Sequence, residues 1–362
     1  MTRVIVLAAW LAAGVWMAGA TSAKEASPSP RHAVELSPSC GDRPTKVDDA
    51  GFVMIGGIEQ WVTAKGDSCA NPVLFFISGG PGNPLSVLSD SMYSAGFKDF
   101  IVVQWDQRGA GMTYGRNPPR DGDMLTIERM TEDGNELAAY LIKRYGKRKV
   151  ILWGSSWGSI LAVHMAKAHP ELFYAYVGTS QVVNSIENQA VGYKKLMGLA
   201  KAANDEASLA VLEQVGTPPW TDPRSFGKVR RIIRKYEAKV TTPPPATWKP
   251  GARYTTPKAE ADYTAGEDYS FLSFVGMHGD GMLSHVDLPA LGTDFALPVF
   301  FIEGEHDLLA TPDVARRYYD SIRAPKKGWV LLPHSGHDPN QEVVDAEYKL
   351  LREQVLPLTR KP

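Results

Sequence analysis

Cysteine is nearly absent from this chain: Cys40 and Cys69 are the two among 362 residues. That rules out a disulfide-dense scaffold, and no His or Cys cluster has the spacing of a zinc site. An excess of either charge is lacking too. There are 39 Lys and Arg against 40 Asp and Glu, a formal net charge of -1, which argues against any charge-driven role with nucleic acid. No internal repeat is evident. What remains is 44% hydrophobic and 22% charged residues, enough for one large domain with an insertion or for two ordinary domains.

The first residues are set apart from the rest. Arg3 precedes an apolar stretch, Val4 to Ala18, followed by Ala18-Gly19-Ala20 and Thr21-Ser22-Ala23, either of which suits a signal peptidase. The stretch is short for a membrane span, so residues 1–23 read as a secretory signal, with an uncleaved anchor as the alternative. Cys40 lies too far along for a lipoprotein. Residues 24–49 form an N-terminal lead-in, rich in Ser, Pro, Lys and Glu over its first half. The expected location is periplasmic or secreted, with no membrane partner once the signal is removed. In an exported chain an isolated Cys40–Cys69 pair reads as one disulfide, the alternative being two buried thiols.

Short apolar runs then alternate with helical patterns. Val53 to Lys65 suggests a hairpin around Gly56-Gly57. Pro72 to Ile77, Phe100 to Trp105, Val150 to Trp153, Tyr174 to Val177, Val299 to Ile302 and Trp329 to Leu332 read as strands buried on both faces. Helices are expected over Thr126 to Tyr145, Trp157 to His169, Pro312 to Ile322 and Gln341 to Leu356. This alternation predicts an α/β fold with a mostly parallel sheet flanked by helices. It lapses over residues 184–291, where Pro218-Pro219, Pro243-Pro244-Pro245 and helical pieces at Asn188 to Ala203 and Phe226 to Val240 suggest an inserted helical cap. The core is thus expected over 50–183 and 292–362.

Gly154-Ser155-Ser156-Trp157-Gly158 stands between the third of those apolar runs and a helical pattern. A G-x-S-x-G at a strand-to-helix junction is a nucleophile elbow, which pushes the central serine Oγ clear of the sheet. Ser156 is that serine. A hydroxyl needs a base to take its proton and an acid to orient the base, and in this architecture they follow in the order Ser, acid, His. Asp307, in the loop after Val299 to Ile302, is the best acid, with Glu303 and Glu305 as fallbacks. His337, after Trp329 to Leu332 and preceded by Gly336, is the best base, with His334 and His306 as competitors. The oxyanion hole should use the backbone N–H of Trp157 and one from Ser78-Gly79-Gly80-Pro81-Gly82, with Gly79 and Gly80 the candidates. No Gly-Lys-Ser/Thr follows those glycines, which excludes a phosphate loop. No cofactor or metal is expected.

Three stretches together resemble the prolyl iminopeptidase family. Ser78-Gly79-Gly80-Pro81-Gly82 is similar to its HGGPG loop, Asp106-Gln107-Arg108-Gly109-Ala110-Gly111 matches its DQRG-x-G segment, and Gly154 to Ser159 resembles its GGSWGS elbow. Gly304 to Asp307 and Gly336-His337 stand where that family keeps its acid and base. The resemblance implies an α/β-hydrolase fold and removal of N-terminal residues such as proline from peptides. Ser78 replaces the family's His, Met112 stands where a basic residue is common, and the cap lacks the Trp-Glu motif whose carboxylate holds the substrate's amine. Another carboxylate must then serve: Glu187 is the first candidate, followed by Glu267 and Asp268.

The cap aromatics Trp220, Trp248, Tyr254, Tyr263, Tyr269, Phe271 and Phe274 either line an apolar pocket or make the cap's own small core. Lys228, Arg230, Arg231, Arg234 and Lys235 read as a solvated basic flank. The sequence thus points to an exported serine hydrolase acting on a small peptide or ester. An aminopeptidase comes first, a carboxylesterase or lactonase second, and a non-catalytic binding protein on the same fold third. An epoxide hydrolase or dehalogenase would carry Asp where Ser156 stands.

Overall fold

Side chains along a β-strand alternate between the two faces of a sheet, so a continuous apolar run needs cover on both. The computed structural model of the protein describes Cys40 and residues 45–120, 122–220 and 222–360. The stretch read as a secretory signal and the lead-in before Cys40 lie outside the described residues. Among the described residues, eight strands form one sheet: β1 (Val47–Ile55), β2 (Ile58–Gly66), β3 (Val73–Ile77), β4 (Ile101–Asp106), β5 (Val150–Ser155), β6 (Phe173–Thr179), β7 (Val299–Gly304) and β8 (Lys327–Leu332). Their order is β1-β2-β4-β3-β5-β6-β7-β8. The β1–β2 and β2–β4 pairings are antiparallel and the rest parallel. β1 starts at Val47, so the sheet begins inside the stretch read as lead-in. Cys40 and Cys69 are disulfide-bonded, with Cα atoms 5.6 Å apart.

The helices are α1 (Ser89–Met92), α2 (Gly111–Arg116), α3 (Ile127–Tyr145), α4 (Trp157–Ala168), α5 (Ser185–Ala202), α6 (Glu206–Val215), α7 (Pro223–Glu237), α8 (Pro257–Val275), α9 (Pro312–Ser321) and α10 (Gln341–Leu350). On one face Phe75, Val103, Leu152 and Phe301 pack with residues of α3, α4 and α9. On the other, Phe76, Val102, Ile151 and Phe300 pack with residues of α1 and α10. The last expected helix remains α-helical only to Leu350 and then widens into a π-helical turn over Leu351–Val355.

Between β6 and β7 the chain builds α5 to α8. Each begins with a side chain that accepts from a backbone N–H of the first turn: Asn184, Asp205, Asp222 and Thr256. Pro223 and Pro257 follow two of those caps at the position proline favours. Leu196, Leu212, Trp220, Val229 and Ile233 form a separate apolar cluster there, and Leu308 of the core inserts into it. The cap aromatics divide accordingly. Trp220 belongs to this cluster, Trp248 packs against the core cluster that holds Phe76 and Met92, and Phe274 meets Trp157 edge-on at 5.3 Å.

Candidate active site

The tight turn after β5 places Ser156 at the carboxyl edge of the sheet, just ahead of α4. Its φ is +53° and ψ -120°, a conformation that costs an ordinary residue of order 1–3 kcal/mol and persists only where the surroundings over-determine it. Two glycines supply that constraint. A Cβ on Gly154 would lie 2.3 Å from Gly158 O, and one on Gly158 would lie 2.1 Å from Ile77 O. Strand, elbow and helix therefore touch backbone to backbone.

Ser156 Oγ lies 2.9 Å from His337 Nε2, and His337 Nδ1 lies 2.8 Å from Asp307 Oδ2. The second oxygen of Asp307 accepts from Leu309 N at 2.8 Å and Ala310 N at 2.7 Å, which fixes the carboxylate from within its own loop. Asp307 is buried. With Nδ1 donating to the carboxylate, Nε2 is left to accept the serine proton.

The other candidates for acid and base stand apart from this chain of bonds. Glu303 is buried in β7 and accepts from Gln181 N at 3.1 and 3.2 Å; burial, then the nearby Asp307, raises its pKa well above the usual range. Glu305 and His334 are exposed. His306 and His334 bond here through their backbones: His306 N donates to Ser335 O, and His334 donates its N–H to Glu342 Oε2 and accepts at its carbonyl from Thr242 and Asn340.

Trp157 opens α4, so its N–H is among the amides that have no partner within the helix. Gly79 lies against the serine: a Cβ there would come 3.2 Å from Ser156 Cβ. Gln107 braces both sides of this space. It accepts from Trp157 Nε1 at 2.9 Å and donates to Ser78 O at 3.0 Å. It lies in the quoted Asp106–Gly111 segment, yet the residues alone showed no role for it. In the same segment Arg108 pairs with buried Asp133 at 2.7 Å, which also accepts from Gln60 at 2.8 Å.

Glu187 has other partners. It sits in the first turn of α5, exposed, with its carboxylate 2.5 Å from Arg317 and its N–H on Asn184. Glu267 of α8 is half-buried beside the glycine loop: its Cα would lie 2.9 Å from a Cβ on Gly82, and it accepts from Asn83 Nδ2 at 2.5 Å. Burial, opposed by that bond, raises its pKa, as does the neighbouring Asp268. A carboxylate that the sequence could not have singled out, Glu237 of α7, reaches the loops of Asp307 and His337. Among the described residues no group of three or more His, Cys, Asp or Glu could hold a metal ion. A cavity of about 310 Å³ lined by Lys147, Lys149, Tyr174 and Arg360 opens at the opposite, amino edge of the strands.

A family model described as "Serine aminopeptidase, S33" matches residues 76–343, from β3 into α10. The chain belongs to the S33 serine aminopeptidase family. The matched span contains Gly79, Ser156, Asp307 and His337. The chain is 28% identical over 300 residues to the probable aminopeptidase YbaC of Bacillus subtilis, covering 80% of this chain and 90% of that one. It is 25% identical over 313 residues to a proline iminopeptidase of Lactobacillus helveticus, covering 82% and 94%. In fold it matches the proline iminopeptidase of Mycobacterium smegmatis with a TM-score of 0.62 at 19% identity, covering 86% and 99%. The α/β-hydrolase fold that the resemblance implied is thus found, and a member of this family with that fold is a serine hydrolase.

Proposed function

We propose that the protein is an exported aminopeptidase that releases the N-terminal residue, proline among those accepted, from short peptides through an acyl-enzyme. Ser156 attacks the carbonyl, and His337 takes its proton and returns it to the leaving amine. Asp307 keeps the imidazole oriented and stabilises its charged form. The developing oxyanion is held by the N–H of Trp157 with that of Gly79 or Gly80. Aminopeptidases and proline iminopeptidases among the relatives support the reaction class. Export is supported by the apolar stretch from Val4 to Ala18 with its two cleavage sites and by the Cys40–Cys69 disulfide.

The observation that carries the amine-directed reading is Glu267. It is half-buried on the cap helix that covers the glycine loop, and its recorded side-chain partner is an amide, Asn83, rather than a cation. A substrate ammonium would supply a close counter-charge, which suits a carboxylate that burial and the neighbouring Asp268 drive toward its neutral form against the Asn83 bond and a weaker pull from Arg234. Glu187 fits less well, since Arg317 already neutralises it.

A charged hydrogen bond to the amine contributes on the order of 1.5–3 kcal/mol. Glu267→Gln should therefore lower kcat/KM for a prolyl-arylamide by roughly ten- to a hundredfold while leaving a neutral acyl ester nearly unchanged. Glu187→Gln should leave both as they are. An equal loss on both substrates would make Glu267 structural, and a selective loss in Glu187→Gln would move the amine site to α5.

A further inference from the structure

We propose that Glu237, carried on cap helix α7, is a positioning residue that holds the acid loop and the base loop in register, so that seating of the cap sets the Asp307–His337 geometry. This rests on the assignment of His337 as the base. Glu237 Oε1 accepts from Leu308 N at 2.9 Å and Oε2 from His337 N at 3.3 Å. One buried carboxylate thus joins the residue after the acid to the base itself. Gly336 is what lets it in: a Cβ there would lie 3.0 Å from both Glu237 Cδ and Oε2.

The same helix face makes further ties. Positions 230, 234 and 237 fall at i, i+4 and i+7, along one side of α7. Arg230 Nη2 donates to Asp338 Oδ1 at 2.7 Å, and Arg234 Nε lies 3.3 Å from Asp338 Oδ2. Just beyond α7, Thr242 N donates to His334 O at 2.9 Å, and Thr242 O accepts from Asn340 at 3.2 Å. Leu308, whose N–H Glu237 holds, buries its side chain in the cap's apolar cluster. Part of the basic flank that reads from sequence as a solvated face is therefore committed to the loop of the base.

The charges around Glu237 are Asp307 and His337 from the core and Arg230 on its own helix, with Asp338 and Arg234 next to Arg230. Burial first, then Asp307, pushes Glu237 up to about 7, opposed by Arg230 and His337. Protonation turns one accepting oxygen into a hydroxyl, a weaker acceptor than a carboxylate oxygen, so the clamp is strongest when the carboxylate is ionised.

The test compares wild type with Glu237→Gln, which keeps the shape and one accepting oxygen but loses the charge and the second acceptor. Three quantities are read: kcat and KM for a prolyl-arylamide across pH 5–9, the rate of phosphonylation by a fluorophosphonate, and the downfield proton resonance of His337 Nδ1–H. A roughly ten- to a hundredfold fall in kcat and in phosphonylation, with KM little changed, is expected. The Nδ1–H resonance should broaden or move, and the pH profile should lose the part of its dependence near neutrality that Glu237 contributes, changing its midpoint or steepness. Wild-type kcat, profile and resonance in a folded Glu237→Gln would overturn the proposal. Should that variant fail to fold, Asp338→Asn, which severs the Arg230 tie, is expected to move the same three readouts in the same direction, and unchanged values there would overturn it equally. If the fluorophosphonate does not label wild type at Ser156, the assignment of the base fails and the proposal with it; normal labelling with an indifferent Glu237→Gln fails the proposal alone.

Discussion

At Ser156 a left-handed backbone holds a hydroxyl 2.9 Å from an imidazole, and each neighbour is chosen for how closely it lets main chain approach main chain. Ser156→Ala removes the nucleophile and should lower kcat by several orders of magnitude with little change in Tm, since the Cβ remains. Gly158→Ala separates fold from chemistry in the opposite way. Its Cβ would meet Ile77 O at 2.1 Å, and backbone cannot swing aside as a flexible side chain can. Overpacking of this kind costs about 1–3 kcal/mol or more, so Gly158→Ala should lose both activity and several degrees of Tm, measured by calorimetry. A Gly158→Ala protein with wild-type Tm would mean that the elbow is looser than these contacts indicate.

At the scale of elements, strands were legible because each is a short apolar run flanked by breakers, and parallel strands buried on both faces have no other pattern to show. β3, β4 and β7 are buried at every position. Helices α3, α9 and α10 were legible for the complementary reason, an apolar stripe, whereas α4 is buried almost all round and was legible from the elbow that precedes it. α8 was not. Its sequence mixes Tyr263, Glu267, Asp268, Tyr269 and Phe274 around the cylinder because it packs on several sides, against Asn83, Gly109 and Trp157. No one-sided stripe marks it. The same limit separates the two glutamates of the cap. Glu187 and Glu267 look alike in sequence, and what distinguishes them is that α5 presents one to Arg317 while α8 lies across Gly82. Ser156, Asp307 and His337 could be read from chain order, whereas Gln107 and Glu237 act through partners 50 and 100 residues away. Spacing along the chain carries no trace of such contacts.

The whole molecule buries an unusual set of acids. Burial pushes Asp106 and Glu237 up to about 7 and Glu347 to about 8, and raises Glu303 as well. A carboxyl whose pKa is higher folded than unfolded binds more protons in the folded state between the two values, so stability falls as pH rises through that window. Asp338 works in the other direction. Its side chain is half exposed; the desolvation it does suffer would raise it, but Arg230 and Arg234 outweigh that and hold it at about 2, giving a solvent-screened contribution to stability that is lost only on acidification. Tm should therefore peak at about pH 5 and decline toward about pH 8, and a Tm that climbs steadily across that range would contradict the raised pKa values of these buried acids. The reaction itself is most directly tested by one comparison on the intact wild-type enzyme: kcat/KM for a prolyl-arylamide against its N-acetylated form. Recognition of a free amine at the glycine-loop side of the cap requires the unblocked substrate to be cleaved faster by roughly ten- to a hundredfold or more, the worth of one charged hydrogen bond. Equal rates would contradict aminopeptidase action and leave acyl transfer to water from neutral esters as the chemistry of Ser156.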